Sequence, residues 1–377
     1  MFNILITAPS LNENTNISGI SSLTKTIITN NSKCQNYFHF IIGKKDSESK
    51  GFKWMLNQLT LIPRFVLFIQ KNKIDIIHLN TDLTPFSVLR DCLILITGKY
   101  LLRKKILLHI HGGYFLMSPP GKHSIFYYLI KTMLVNASAV AVLSEIEKDE
   151  IYKAYQISCS VMPNAVKPCK EIEAKDFTRK LTFFFMGRMV RSKGIFLIAE
   201  CLSELTSYFK EMEIHLYGVG PDLEEFLKQL SAIKGLHYKY GGIVRDMKKV
   251  QVFEKSHIFL LPSLFGEGLP MAMLESMNYG CVPLVSNDAS MGTVVKNGIN
   301  GYLTEKASHV SLSEKFIKVL TDREELKILS TNAKQTIDRG YNLEHYVSTL
   351  NQLYKTLTDN DESSKFFGNR VRPYHLR

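Results

Sequence analysis

The chain has 377 residues, 45% hydrophobic and 22% charged, which exceeds one ordinary core and fits a water-soluble protein of two domains. No apolar run reaches the 18 or so residues of a membrane span, and six scattered cysteines with no C-x-x-C pair exclude a disulfide framework or a zinc site and suit a cytoplasmic protein. The net charge of +12 is uneven, with 20 Lys/Arg against 10 Asp/Glu over residues 1–170 and 27 against 25 over the rest.

The opening MFNILITAPS lacks the layout of a secretion signal and reads as a first strand. Further short β-branched runs follow at 38–43, 75–80, 106–113 and 139–144, separated by stretches of helical spacing at 19–30, 54–72, 85–97 and 122–135. That rhythm predicts parallel strands with crossover helices, and ligands of such sheets bind beyond the carboxyl ends of the strands. A polar stretch at 166–180 reads as a linker, after which the rhythm restarts. Strands are expected at 181–188, 213–220, 236–242, 257–263 and 282–287, with helices near 193–207, 221–231, 246–255, 270–279 and 309–320. The expected domains are 1–168 and 178–340, then a helix over 341–358 that packs back on the first domain, then a flexible tail over 359–377.

Three strand-to-helix junctions in the second half carry chemistry. In FMGRMVRSKG, Arg188 and Lys193 follow Gly187 where a helix is about to begin. Free backbone amides and the helix dipole there favour an anion, so two cations make a diphosphate site; the alternative is a turn with two solvated basic residues. In YGVGPDLEEF, Gly218 and Gly220 make half a dinucleotide fingerprint. Leu223 stands where a third glycine belongs, and a tight turn with Pro221 at the first helical position explains the pair equally. In LFGEGLPMAMLESMNYG, Glu267 lies in a turn and Glu275 more than one turn inside a helix, with Met271 and Tyr279 four residues away on either side. A carboxylate in that setting requires a ligand or a hydrogen bond. The helix entrance Gly268, Leu269 and Pro270 leaves room for a ligand close to the main chain.

These stretches, together with NGINGYL and their order, resemble the donor-binding half of the family 4 retaining glycosyltransferases. The resemblance implies an α/β protein of GT-B fold, two doubly wound Rossmann-like domains facing each other across a cleft. It extends over nearly the whole chain, and its most specific element is E-x7-E from Glu267 to Glu275. It implies that Glu267 contacts donor-sugar hydroxyls, Glu275 holds the ribose, and Arg188 and Lys193 neutralise the diphosphate. It also places His111, in LLHIHGG, near the reacting sugar, and Gly19, Ser144, Asn164, Gly187 and Gly220 along the donor site. His109 is expected on the opposite side of its strand and structural.

Two departures stand out. The first glycine loop has Gly19 alone in NISGI, and ASMGTVVKNGINGYL lacks the usual Pro-Glu pair. The implied activity is transfer of a sugar from a nucleotide-diphosphate donor to a glycan or lipid-linked hydroxyl, with retention, without a cofactor and without a metal. Two rivals remain: a glycoside hydrolase using Glu267 and Glu275, which has no use for a diphosphate site, and a non-catalytic sugar-nucleotide or membrane-binding module. The basic first half points to a polyanion. With no zinc-finger spacing, RNP pattern or recognition helix, an anionic membrane surface is expected rather than nucleic acid, the alternative being a merely solvated basic face. Arg103, Lys104, Lys105 and an apolar helix around Trp54 to Ile69 suggest where it lies.

Overall fold

The computed structural model describes residues 1–12, 16, 18–43, 57–169 and 173–359, in two compact units: Met1–Asn164 together with the segment from Glu344 onward, and Ala165–Leu343. The first unit has strands β1 (Asn3–Ala8), β2 (Asn36–Ile41), β3 (Ile76–Thr81), β4 (Lys105–Ile110), β5 (Ala139–Val142) and β6 (Ser160–Val161), all parallel in the order β2-β1-β3-β4-β5-β6. Between them run helices α1 (Gly19–Asn31), α2 (Leu61–Lys71), α3 (Pro85–Ile96), α4 (Tyr114–Met117), α5 (Ile125–Asn136) and α6 (Glu145–Tyr155).

One face of this sheet is apolar. Ile77, Leu79, Ile106, Leu108 and Ile110 pack in one core with Phe65 and Ile69 of α2, Leu95 of α3 and Met133 of α5. Burial of each such side chain stabilises by about 1.5–3 kcal/mol. Because side chains alternate along a strand, the neighbours His78, Asn80 and His109 face the other way, and all three are buried. Polar groups there stabilise only when hydrogen-bonded. Helix α1 supplies part of that cover, with Thr24 Oγ1 3.4 Å from Asn80 Nδ2.

The second unit repeats the plan. Strands β7 (Leu181–Met186), β8 (Met212–Tyr217), β9 (Tyr238–Tyr240), β10 (Ile258–Leu261), β11 (Val282–Ser286) and β12 (Tyr302–Thr304) are parallel in the order β12-β11-β10-β7-β8-β9. Its helices are α7 (Ile195–Glu204), α8 (Leu223–Ser231), α9 (Asp246–Lys255), α10 (Met271–Asn278), α11 (Met291–Val294), α12 (His309–Thr321) and α13 (Arg323–Gly340). Phe183, Phe184 and Phe185 are all fully buried, as a strand covered by helices on both faces demands.

The elements differ from the sequence reading in several places, and β6 and β12 have no counterpart in it. Helix α13 has no counterpart there, because only Leu326, Leu329, Ala333 and Ile337 of its 18 residues are buried, a narrow stripe in polar sequence. Helix α8 begins at Leu223, so Pro221 lies in the turn before it. The strand expected over 236–242 shrinks to Tyr238–Tyr240. The units part between Asn164 and Ala165, ahead of the expected linker. Val166 already belongs to the second unit: its amide donates to Tyr341 O (2.9 Å), and its carbonyl accepts from Leu343 N (2.9 Å).

The terminal helix α14 (Leu343–Thr358) belongs to the first unit. Asn351 exchanges amide hydrogen bonds with Asn31 (2.9 and 3.0 Å), and Tyr354 Oη lies 2.7 Å from His78 Nδ1. The tail expected over 359–377 lies outside the described residues beyond Asp359. So does Trp54 in the helix expected over 54–72, whose described part turns Phe65 and Ile69 into the core.

Candidate active site

In the second unit the junction after β7 runs through an exposed Arg188 to a 3-10 turn, Arg191–Lys193, and only then into α7, two residues later than expected. Gly194 joins the two at φ +72, and a Cβ there would lie 1.9 Å from Pro262 O. Only glycine meets both conditions. The turn therefore presses against the loop that follows β10, and Leu264 N donates to Ser192 O (2.8 Å). This approach delivers Lys193 to Glu267: the ammonium bonds directly to Glu267 Oε1.

Glu267 sits in the loop between β10 and α10 and is only 5% exposed. Its charge is compensated, since Ser263 Oγ donates to the same oxygen (2.7 Å) and Ser286 Oγ in turn donates to Ser263 O (2.7 Å). A carboxylate held by a lysine and a hydroxyl tolerates burial that would be costly for a bare one. Gly268 and Leu269 are buried beside it, and Pro270 is the cap of α10 rather than its first helical residue.

Glu275 takes a separate partner. It has no cation on its own helix, yet Lys249 of α9 comes to 2.6 Å from its Oε2, an ion pair without hydrogen-bond alignment. Spacing along α10 offers no partner, because the cation comes from the neighbouring helix. Gly187 donates its amide to Tyr217 O (3.1 Å). A Cβ on Gly218 or Gly220 would lie 1.8 Å from Gly187 O or 2.1 Å from Met189 O, so close packing of two turns accounts for these glycines.

In the first unit His111 is the first residue past β4. Its amide still donates to Thr81 O (2.8 Å), extending the ladder by one residue. Alternation therefore continues, and His109 and His111 share a face with ring centroids 4.1 Å apart. The expectation that His109 points the other way is incorrect for that reason. His111 Nε2 lies 2.9 Å from Asn80 Oδ1, and a further hydrogen bond joins the ring to Asn164, which is buried. Burial, then the neighbouring His109 and His78, hold the His111 pKa well below the usual imidazole range, so the ring is neutral at pH 7.

Ser144 caps α6: its Oγ accepts from Glu147 N (3.3 Å), and the buried Glu147 carboxylate accepts from Leu143 N (2.8 Å). Gly19 opens α1 behind its cap Ser18, whose Oγ accepts from Ser21 N (3.2 Å). Residues 13–15 and 17 of that loop lie outside the described ones. Among the first-unit candidates, His111 and Asn164 are thus joined through a hydrogen bond, whereas Ser144 and Gly19 stand at the starts of two helices. All follow the carboxyl ends of parallel strands, the edge where such sheets bind ligands. Ser263, Lys249, Asn80 and His78 were missed; the pattern H-x-N in β3, which puts both side chains on one face, was the available signal for the last two.

The family profile described as Glycosyltransferase Family 4 matches residues 27–169, and that described as Glycosyl transferases group 1 matches residues 170–336. The chain belongs to glycosyltransferase family 4. This family 4 enzyme is 25% identical over 311 residues to an uncharacterized glycosyltransferase of Methanocaldococcus jannaschii, with 78% of each chain covered. It is 35% identical over 103 residues, 27% of this chain and 26% of the other, to the Escherichia coli UDP-Gal:alpha-D-GlcNAc-diphosphoundecaprenol alpha-1,3-galactosyltransferase. Its fold matches HepE of Anabaena, solved with UDP-glucose, at a TM-score of 0.73 and 14% identity over 94% of this chain and all of that one. The architecture is GT-B. Membership in a transferase family decides against the hydrolase and against the non-catalytic module. Among the described residues no helix is long and apolar enough to cross a membrane.

Proposed function

We propose that this glycosyltransferase moves a sugar, with retention at the anomeric carbon, from a nucleotide-diphosphate donor to a hydroxyl of a glycan or lipid-linked acceptor in surface polysaccharide or glycolipid synthesis. The observation that carries the reading is the Lys193–Glu267 pair: a buried carboxylate and a cation joined at the carboxyl edge of a sheet, 74 residues apart in sequence. Departure of the nucleoside diphosphate builds negative charge on the leaving oxygen. Lys193, Arg188 and the amides at the entrance of α10 stabilise that charge, usually the largest catalytic contribution. In this reading Lys193 exchanges Glu267 for the phosphates and Glu267 turns to the sugar hydroxyls, while Glu275 takes the ribose. His111, with Gly19, Ser144 and Asn164, serves the reacting sugar. Side-chain cations stand where other transferases use a divalent metal, so no metal is required. The bound UDP-glucose of HepE and the UDP-galactose named for the E. coli relative make a UDP-sugar the first donor to test.

The two acids separate the steps. Glu275→Gln is expected to weaken binding of the donor and of the bare nucleoside diphosphate alike. Glu267→Gln leaves nucleoside diphosphate binding nearly intact and lowers turnover. A hydrogen bond to a charged group contributes about 1.5–3 kcal/mol, roughly ten- to hundredfold in either observable. Calorimetry with the nucleoside diphosphate and kinetics with the donor read the two. Unchanged binding and turnover in both variants would refute the assignment.

The enzyme works, in this reading, in the cytoplasm at an anionic membrane face. Support comes from the basic first half and from exposed Leu93, Tyr100 and Leu101 next to the exposed Arg103. Each basic residue near such a surface adds about 1 kcal/mol, screened by salt. Sedimentation with anionic vesicles should be strong at low salt and weak at high salt. Equal sedimentation with neutral vesicles rejects the membrane contact.

A further inference from the structure

Behind His111 the first unit buries a row of rings that the transfer reaction does not use. Tyr354 Oη is 2.7 Å from His78 Nδ1, His78 Nε2 is 3.3 Å from His109 Nδ1, and His109 Nε2 is 3.3 Å from Met162 O. His78, His109 and Tyr354 are completely buried. Burial holds the His109 pKa down to about 4 and that of His78 well below the usual imidazole range, so both rings are neutral. Burial likewise raises the Tyr354 phenol well above its usual value, so it keeps its proton.

Hydrogen-bond direction follows from one end. A carbonyl only accepts, so His109 Nε2 carries the proton that points at Met162 O. Neutral His109 then has a bare Nδ1, which must accept from His78 Nε2–H. Neutral His78 in turn has a bare Nδ1, which must accept from the Tyr354 hydroxyl; Tyr37, which accepts from Asn31 Nδ2 (2.7 Å), hydrogen-bonds the same phenol and in this order gives it the proton. The same logic settles His111. Asn80 Nδ2 donates to Thr7 O (2.8 Å), so its Oδ1 accepts from His111 Nε2–H. This order gives Nε2–H rings throughout; His111 has a second hydrogen bond, to Asn164, and His78 one to Asn80, and His111 lies against the ring of His109 at 4.1 Å.

We propose that Tyr354, on the terminal helix α14, is a positioning residue that locks the His78–His109 pair in one tautomer and through it holds His111 at the site. This rests on the reading of His111 as a group at the reacting sugar. Without the phenol, His78 Nδ1 loses that donor. If His78 moves its proton to Nδ1, its bare Nε2 faces the bare Nδ1 of His109. His109 can answer only by giving up Met162 O. Either way the wall behind His111 loses a hydrogen bond and its single arrangement. The last described helix, whose Tyr354 lies 276 residues from His78 in sequence, thus completes the site of the first unit.

Long-range proton–nitrogen spectra of the imidazole rings in the full-length, ligand-free protein test this at pH 7. The parent should show His78, His109 and His111 as neutral Nε2–H rings. In Tyr354→Phe the preference of His78 for that tautomer should fall about fivefold or more, a factor that follows from loss of one ordinary hydrogen bond. The signals of His109 and His111 should move with it. A charged or Nδ1–H ring among the three in the parent overturns the proposal, and that measurement decides even if the variant does not fold. So does a variant in which His78 responds while His109 and His111 keep the parent signals. Failure of the donor-site reading is seen separately, as unchanged turnover in His111→Ala, and leaves these spectra untouched.

Discussion

Beyond the strands of the second unit the polar residues are ions in pairs, Lys193 with Glu267 and Lys249 with Glu275. On one face of the first unit's sheet a neutral group stands instead, the rings of His78, His109 and His111 with the amide of Asn80. An ion pair at 27% and 5% exposure can change partners when a charged ligand arrives, because the ligand replaces one counter-charge by another. A row of neutral, hydrogen-bonded rings has no charge to exchange. It only orients, and its stability depends on staying neutral. In the proposed reading two sheets of one plan divide the work: one meets charge and the other fixes geometry.

The comparison breaks most sharply at Lys193. In Lys193→Ala, affinity for a nucleoside diphosphate should fall ten- to hundredfold, whereas free nucleoside binds as before. The same change leaves Glu267 buried with Ser263 and without its cation, so the unfolding free energy should also drop by about 1–3 kcal/mol. Equal losses for nucleoside and nucleoside diphosphate, measured by calorimetry, would make the lysine structural and erase the contrast.

Acid tests the neutral row. The unfolded chain holds histidine at about pH 6.5 and the folded one holds His109 at about 4, so between these values the unfolded state binds more protons and stability falls as pH falls. Each such histidine contributes up to about 1.4 kcal/mol per pH unit, on the order of 3 kcal/mol for His109 over the whole window. His257 of the second unit, also held at about 4, adds in the same direction, and its share is removed in His257→Gln. Urea unfolding of that variant at pH 7 and pH 5 should still show the loss. A flat profile means that the first unit tolerates charge after all.

The smallest effect is expected at the second pair. Lys249 and Glu275 are 26% and 20% exposed, and such pairs are worth at most about 1 kcal/mol. In Lys249→Ala, nucleoside diphosphate affinity should stay within roughly threefold of the parent. A larger loss would extend the charge-meeting region of the second unit to α9.

Alternation of apolar runs and helical spacing is local, so the sequence by itself determined that two parallel sheets form and roughly where their strands lie. Local turn chemistry likewise marked residues after those strands, including Arg188, Lys193 and Glu267, whereas His111 was marked by the family resemblance. Partners are another matter, because a crossover connection lets any strand end meet any other. Lys193 meets Glu267 because Gly194 lacks a Cβ and can lie against Pro262, and Lys249 meets Glu275 because α9 and α10 are neighbours. Helix α13 needed a packing partner before its four buried residues formed a face. His78 and His109 look like ordinary strand residues until β3 and β4 pair and Tyr354 arrives from the far end of the chain. Tertiary structure decided these, since hydrogen-bond direction in a buried row depends on groups far apart in sequence, here a carbonyl beyond β6 and a phenol on α14.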